Sequence, residues 1–214
     1  MAERNYYDMA LHRHVRKENQ SPGDNEDKNE KARMELYDWL QCILIALLSA
    51  VLLFVFIGTT MSIDGVSMER TLIGGDRVIL SNLFYTPNNG DIIVFHSPAE
   101  RYADTPLVKR VIALEGQQVY IDFDLGNVYV NGVMLVEEYI DMLTTARHDF
   151  EGPVIVPEGH VFVLGDNRNQ TIDSRSSVIG FVDDRHIIGR VLIILIPGVD
   201  RNGVRDWSRF GTII

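Results

Sequence analysis

The sequence has a single cysteine, Cys42, and this scarcity excludes two classes of protein. One thiol cannot form an intramolecular disulfide framework or a cysteine-rich zinc site. The six histidines are scattered, and none has the His-Glu-x-x-His spacing that places two metal ligands on one helical face. We therefore expect no disulfide, no metal and no cofactor. Only a metal site assembled from distant residues stays open.

The chain also lacks a surplus of positive charge. Its 20 lysines and arginines face 30 acidic residues, which gives a formal net charge of −10. Because phosphate binding requires a basic face, this balance argues against a nucleic-acid partner. A chain of 214 residues holds one domain of about 150 residues and an appendage.

Long apolar runs are absent except for one, Leu40 to Gly58, in which only Gln41 and Ser49 are clearly polar. At about 1.5 Å per residue, a helix of this length covers roughly 28 Å, close to the hydrocarbon thickness of a bilayer. A buried core helix is the alternative, but such helices are usually shorter. We predict a polar, disordered tail over 1–38, a membrane anchor over 39–58 and a folded domain over 59–214.

The flanks of this run predict its orientation. A cleavable signal would begin near residue 1 and end in small residues, whereas this run is followed by Thr-Thr-Met-Ser-Ile-Asp, so we expect a permanent anchor. Lys28, Lys31 and Arg33 precede it, and Arg70 is the first cation after it. The positive-inside rule then predicts a cytoplasmic N-terminus and an extracytoplasmic domain at the cell membrane.

The remainder is rich in short Val/Ile segments separated by turn residues, with no helical period of useful length between them. This spacing is typical of an antiparallel sheet or barrel-like fold rather than of βαβ units. Seven segments are predicted as strands: 76–82, 91–97, 107–114, 117–123, 127–132, 160–166 and 190–198.

Ser67, in the stretch Ile-Asp-Gly-Val-Ser-Met-Glu-Arg-Thr-Leu, has two interpretations. It is either a turn residue that hydrogen-bonds the local backbone, or a nucleophile, which needs a base. Lys109 and Arg110 interrupt an apolar strand, and strand alternation sends them to opposite faces. Either both are solvated on an edge strand, or one is buried and its pKa falls toward that of a general base.

A third segment, Gly-Asp-Asn-Arg-Asn-Gln-Thr-Ile-Asp-Ser-Arg over 165–175, is an ordinary loop by composition. Together, Gly-Val-Ser-Met-Glu-Arg-Thr-Leu, Gly-Asp-Ile-Ile-Val-Phe-His-Ser-Pro, Leu-Val-Lys-Arg-Val-Ile-Ala-Leu-Glu-Gly and this loop resemble the ordered boxes of bacterial type I signal peptidases. The resemblance is to the Gram-positive form and covers roughly residues 40–197. Four boxes in order are far more specific than any one of them.

The resemblance implies roles for individual residues. Ser67 corresponds to the nucleophile and Lys109 to the general base of a Ser-Lys dyad. Met68 corresponds to the residue on the substrate side, and the Ser67 backbone N–H to the oxyanion donor. Further positions implied by the resemblance are Asp173 and Arg175, which brace the active-site loop, and Arg110 and Asp166, whose expected role is structural.

Three positions depart from the family pattern. Gly65 cannot supply a second, hydroxyl oxyanion donor, which matches the Gram-positive form. Thr171 replaces the serine that hydrogen-bonds the lysine amine. Arg70 stands where proline is usual: either arginine loosens this turn, so that proline would stabilise it, or its charge pairs with an acidic loop residue or a lipid phosphate.

The resemblance implies a membrane-bound serine endopeptidase that removes signal peptides from exported preproteins, with those preproteins and the lipid bilayer as partners. Two alternatives are a self-cleaving Ser-Lys protease of the repressor type and a weakened homologue that binds preproteins without efficient cleavage. The sequence makes no prediction of oligomeric state.

Overall fold

The computed structural model describes residues 22–56, 59–102, 105–200, 202–211 and 213. Residues 1–21, the first part of the tail predicted over 1–38, lie outside this described set. The chain divides into two compact units, Met1–Phe54 and Val55–Ile214.

The first unit contains one long helix, α1 (Pro22–Phe56). Proline is tolerated in the first helical turn, and residues 24–57 contain neither proline nor glycine. Residues 22–38, within the segment predicted as a polar tail, form part of α1, and Glu, Lys, Ala, Arg, Met and Leu in this stretch favour a helix. The domain boundaries at 38 and 58 stay predictions.

Within α1, residues Asn29–Val51 are long and apolar enough to cross a membrane, by length and composition. Their large apolar side chains are exposed in the isolated chain, including Trp39, Leu44 and Leu48. A helix whose apolar side chains meet no protein core has the pattern of a membrane span.

The second unit is built from antiparallel strands, in agreement with the predicted fold class. A seven-stranded sheet has the order β1-β2-β11-β3-β4-β9-β10, and a four-stranded sheet has the order β7-β6-β5-β8. The strands are β1 (Thr60–Ser62), β2 (Arg77–Ser81), β3 (Ile92–Phe95), β4 (Leu107–Ala113), β5 (Gln118–Asp122), β6 (Asn127–Val130), β7 (Val133–Met134), β8 (Val154–Ile155), β9 (His160–Leu164), β10 (Val182–Asp183) and β11 (Ile187–Ile196).

All seven strands predicted from Val/Ile patterning are present, as β2 to β6, β9 and β11. The four strands that patterning missed, β1, β7, β8 and β10, have two or three residues each. Runs this short cannot show an alternation of apolar and polar residues, so they leave no periodic signal.

Both faces of the larger sheet are covered where β3 and β4 lie. Along β3, Ile92 and Val94 enter one core cluster while Ile93 and Phe95 enter another. A further cluster joins β4 and β9 to the smaller sheet, with Ile112, Phe162 and Leu164 among its members. The central position of β4, between β3 and β9, therefore buries whatever side chains it carries.

Candidate active site

Ser67 lies in a turn within the connection between β1 and β2, residues 63–76. Leu72 N donates to Met68 O at 2.7 Å, and Glu69 N donates to Val66 O at 3.1 Å. The Met68 side chain is buried in the core, which fixes the turn, while Ser67 itself is partly exposed. Gly65 enters the turn with a φ of +92°, a left-handed conformation that glycine adopts without strain.

Lys109 reaches this serine from β4. Its Nζ lies 3.0 Å from Ser67 Oγ and donates to Val108 O at 2.9 Å, and the residue is only 3% exposed. Burial lowers the pKa of Lys109 from 10.5 to about 8, while the charges of Asp173 and Asp166 act in the opposite direction. At mildly alkaline pH a large fraction of the amine is therefore uncharged, and this uncharged form can accept the serine proton.

The position of β4 decides between the two interpretations of the cation pair. Arg110 is also buried, 6% exposed, because β4 is an interior strand. The alternative of an edge strand with two solvated cations is therefore wrong. Arg110 is neutralised by Asp166, with Nε to Oδ1 at 2.9 Å and Nη2 to Oδ2 at 2.7 Å. Thr71 Oγ1 donates to the same carboxylate, at 2.5 Å.

The loop after β9 hydrogen-bonds the backbone at the nucleophile. Asn167 N donates to Ser67 O at 3.1 Å, and Asn167 Nδ2 donates to Val66 O at 3.1 Å. A Cβ at Gly165 would lie 2.7 Å from Ser67 O and equally close to the Thr171 side chain. Only glycine allows this approach of the two backbones.

A buried ion pair closes the same loop. Arg175 donates to both carboxylate oxygens of Asp173, each at 2.8 Å, and both side chains are fully buried. Asp173 Oδ2 also accepts from Gly165 N at 3.1 Å, and Arg175 Nη1 donates to Ala146 O at 2.6 Å. Because a bidentate pair fixes the mutual orientation of its partners, this geometry ties the end of the loop to its beginning.

Thr171 differs from the expectation that it would hydrogen-bond the lysine amine. In the described residues Thr171 Oγ1 donates to Ile172 O at 3.3 Å, and Lys109 Nζ bonds only Ser67 Oγ and Val108 O. The threonine side chain packs against Gly165. Its extra methyl group is thus accommodated by the missing side chain of that glycine.

A cavity of about 130 Å³ opens beside the dyad. Its walls are two short stretches of chain, 61–65 and 105–109, completed by Ser67 and Met68. Since pairing between β4 and β9 begins at Arg110, residues 107–109 have one backbone edge that no described strand covers. The described residues contain no group of three or more His, Cys, Asp or Glu side chains placed to hold a metal ion.

Comparison with known proteins identifies the family of this chain. Residues 36–196 match the family model described as signal peptidase, peptidase S26. The chain belongs to the signal peptidase family. It is 32% identical to signal peptidase I P of Bacillus subtilis subsp. natto over 80% of this chain and 95% of that one. It is 40% identical to a probable signal peptidase I-1 of Synechocystis sp. over 79% of this chain and 84% of that one.

Among solved structures, a signal peptidase I from Enterococcus faecalis is 34% identical and covers 50% of this chain and 97% of its own, with a TM-score of 0.42. Family membership confirms the resemblance drawn from the four boxes and makes the chain a membrane-bound serine endopeptidase that cleaves signal peptides. No comparison supports the weakened homologue or the repressor-type protease.

The backbone conformation of Arg70 contradicts one of the two interpretations of this residue. Its φ is +84°, whereas proline holds φ near −65°, so proline does not fit this backbone. The interpretation of a turn merely loosened by the absence of proline is therefore wrong. Arg70 Nη1 instead donates to Ile140 O at 2.9 Å and lies 3.4 Å from Asp141 Oδ1, as expected for a cation paired with an acidic loop residue.

Sequence reasoning also missed part of the site. Arg168 and Asn167 stand within a recognised box, but nothing in their local pattern distinguishes them from loop residues. Glu137 and Tyr139 belong to a different segment, without a periodic or motif signal, and meet Arg168 only through the fold. Gly165 was predictable as a turn residue, but its approach to Ser67 O was not.

Proposed function

We propose that Ser67 and Lys109 are the catalytic dyad of this signal peptidase. The observation that carries the proposal is the 3.0 Å distance between Ser67 Oγ and a buried lysine amine with a lowered pKa. Neutral Lys109 takes the Oγ proton as Oγ attacks the scissile carbonyl carbon. The protonated amine then gives that proton to the departing nitrogen, and a second cycle with water releases the acyl group from Ser67.

The oxyanion of the tetrahedral intermediate is expected to accept from Ser67 N–H, which has no hydrogen-bond partner within the described residues. Gly65 offers no side-chain hydroxyl for a second donor. Met68 lines the cavity beside this position and orders the turn through its burial. Asp173 and Arg175 are proposed to support the loop 165–175. Within this loop, Thr171 is proposed to pack against Gly165.

The substrate is proposed to be the extended C-terminal part of a signal peptide. An extended chain can hydrogen-bond the backbone edge at 107–109 that β9 leaves uncovered, with alternate side chains directed into the cavity. A volume of about 130 Å³ shared between side chains admits small residues, which is consistent with alanine-like side chains before the cleaved bond.

We propose that α1 anchors the peptidase in the lipid bilayer of the cell membrane, with its N-terminus in the cytoplasm. The apolar stretch Asn29–Val51 and the cations Lys31 and Arg33 near its start support this orientation. Protease added to intact cells should digest residues after 58 and spare the N-terminal segment. Digestion of the N-terminal segment alone would reverse the orientation.

The dyad is tested with full-length protein in detergent and a preprotein whose new N-terminus is sequenced. Lys109→Ala and Lys109→Arg should both abolish cleavage, since neither an alanine nor a guanidinium accepts a proton. The wild-type rate should rise through one limb with a midpoint near pH 8, as the pKa of Lys109 requires. Substantial turnover by either variant, or by Ser67→Ala, would contradict the assignment.

A further inference from the structure

Three arginines around the nucleophile converge on one segment outside the four boxes. We call residues 137–141, which follow β7, the clasp. Glu137 binds Arg168, the Tyr139 ring lies 3.9 Å from the Arg110 guanidinium, and Ile140 O accepts from Arg70.

Within the clasp, Glu137 makes the most completely buried contact. Its carboxylate accepts from Arg168 Nη1 at 2.7 Å and, through its other oxygen, from Arg168 Nη2. The Tyr139 hydroxyl donates to the same carboxylate at 2.7 Å. The side chains of Arg168 and Glu137 are 0% and 5% exposed, so this carboxylate is the counter-charge of a guanidinium removed from water.

Arg168 connects Glu137 to the loop that contacts the nucleophile. Its Nε donates to Gly165 O at 3.1 Å, and its Nη1 donates to Thr144 Oγ1 at 2.8 Å. Gly165 is the residue whose backbone lies against Ser67 O, and the neighbouring Asn167 N donates to that carbonyl. The Glu137 carboxylate binds both terminal nitrogens of the guanidinium, with Thr144 Oγ1 as a further acceptor, and this fork geometry aims Nε at Gly165 O.

We propose that Glu137 is a positioning residue for signal-peptide cleavage, which holds Arg168, and through it the loop 165–168, in the place that fixes Ser67. This inference rests on the proposed dyad. A buried ion pair adds little to stability compared with apolar residues of similar volume, so stability alone does not account for this pair. Its geometric effect is the orientation of a loop that touches the nucleophile.

The role predicts a distinct kinetic signature. Glu137 does not line the substrate cavity, so KM should stay nearly unchanged. Glu137 is not among the groups that set the pKa of Lys109, and the carboxylate of Asp166, which is one of them, is held by Arg110 and Thr71, so the pH midpoint should not move. A displaced loop misplaces Ser67, and a shift of about 1 Å costs on the order of 100-fold in rate.

The test compares two variants of the full-length peptidase in detergent. Glu137→Gln removes the charge and keeps the shape, but it also leaves Arg168 buried without a counter-charge. The double variant Glu137→Leu/Arg168→Met removes both charges at similar volume, so it leaves no buried unpaired charge and its unfolding midpoint should fall less than that of Glu137→Gln, even though Gly165 O, Thr144 Oγ1 and the Tyr139 hydroxyl each lose a partner. Asp183→Asn, in the ion pair with the exposed Arg185, is the matched control and should cleave normally.

We expect kcat, corrected for the folded fraction, to fall on the order of 100-fold in both variants, with KM and the pH midpoint unchanged. Recovery of wild-type kcat in the double variant would overturn the proposal, since the pair would then serve stability alone. A shifted pH midpoint would also overturn it, because the variant would then act through the charges around Lys109 and not through the position of Ser67. Ser67→Ala is measured alongside: its cleavage would refute the dyad, whereas its inactivity with full activity of Glu137→Gln would refute the positioning role alone.

Discussion

Replacing Lys109 with methionine should stabilise the peptidase while abolishing its activity. Methionine has a similar length and no charge, so it occupies the same buried site on β4 without the desolvation that lowers the pKa of Lys109 to about 8. A pKa difference between about 8 folded and 10.5 unfolded corresponds to about 3 kcal/mol of unfolding free energy.

The sign of this effect follows from proton binding. Below pH 8 the lysine is protonated in both states, and the folded state bears the whole cost of the buried charge. Between pH 8 and 10.5 the unfolded state binds more protons, so the unfolding free energy of the wild type rises with pH. The methionine variant lacks this rise. Its advantage over the wild type should therefore shrink by about 3 kcal/mol across that window.

Equilibrium urea unfolding of the detergent-solubilised chain at pH 7, 8, 9 and 10.5, followed by circular dichroism, measures the difference. The hydrogen bonds lost with Nζ, to Val108 O and Ser67 Oγ, shift the whole curve and leave the pH-dependent part intact. Ser67→Ala is the matched control, because it is inactive but keeps the lysine and should retain the wild-type slope. A constant difference between Lys109→Met and wild type from pH 7 to 10.5 would refute the reasoning.

Two further substitutions, each with a matched control, test the loop and the turn. Gly165→Ala should destabilise the fold by about 1–3 kcal/mol and lower cleavage, because the added Cβ meets Ser67 O and Thr171 at 2.7 Å. Gly74→Ala, whose Cβ would meet nothing closer than 3.7 Å, should be neutral or slightly stabilising in the same thermal and cleavage assays. Arg70→Pro should destabilise the protein by more than about 1 kcal/mol, because φ is +84°, and urea unfolding measures this. Arg70→Gly tolerates that backbone and should lose less stability than the proline variant; the reverse order would contradict the assigned turn geometry.

The apolar helix and the longer strands can be predicted from the sequence, because each has a local signal. Strand period and apolar length report on burial over a few neighbouring residues. The four boxes preserve the order of the segments that meet at the nucleophile. The sequence therefore predicts the pairing of Ser67 with Lys109 through this resemblance and not through a local signal.

Other features depend on contacts between distant segments. Glu137 lies 31 residues from Arg168 along the chain, and only the packing of the clasp on the loop makes it a counter-charge. The burial of both Lys109 and Arg110 follows from the interior position of β4, which strand patterning alone leaves open.

The backbone of Arg70 shows the same division. The sequence identifies an arginine at a position where proline is usual, and it offers no dihedral angle. The surrounding turn, held by Met68 in the core and by Ile140 O at the guanidinium, imposes a left-handed conformation on that residue. Side-chain chemistry and segment order were thus set locally by the sequence, whereas burial, counter-charges and backbone strain were decided by tertiary packing, because each of them depends on atoms that the chain brings together only when it folds.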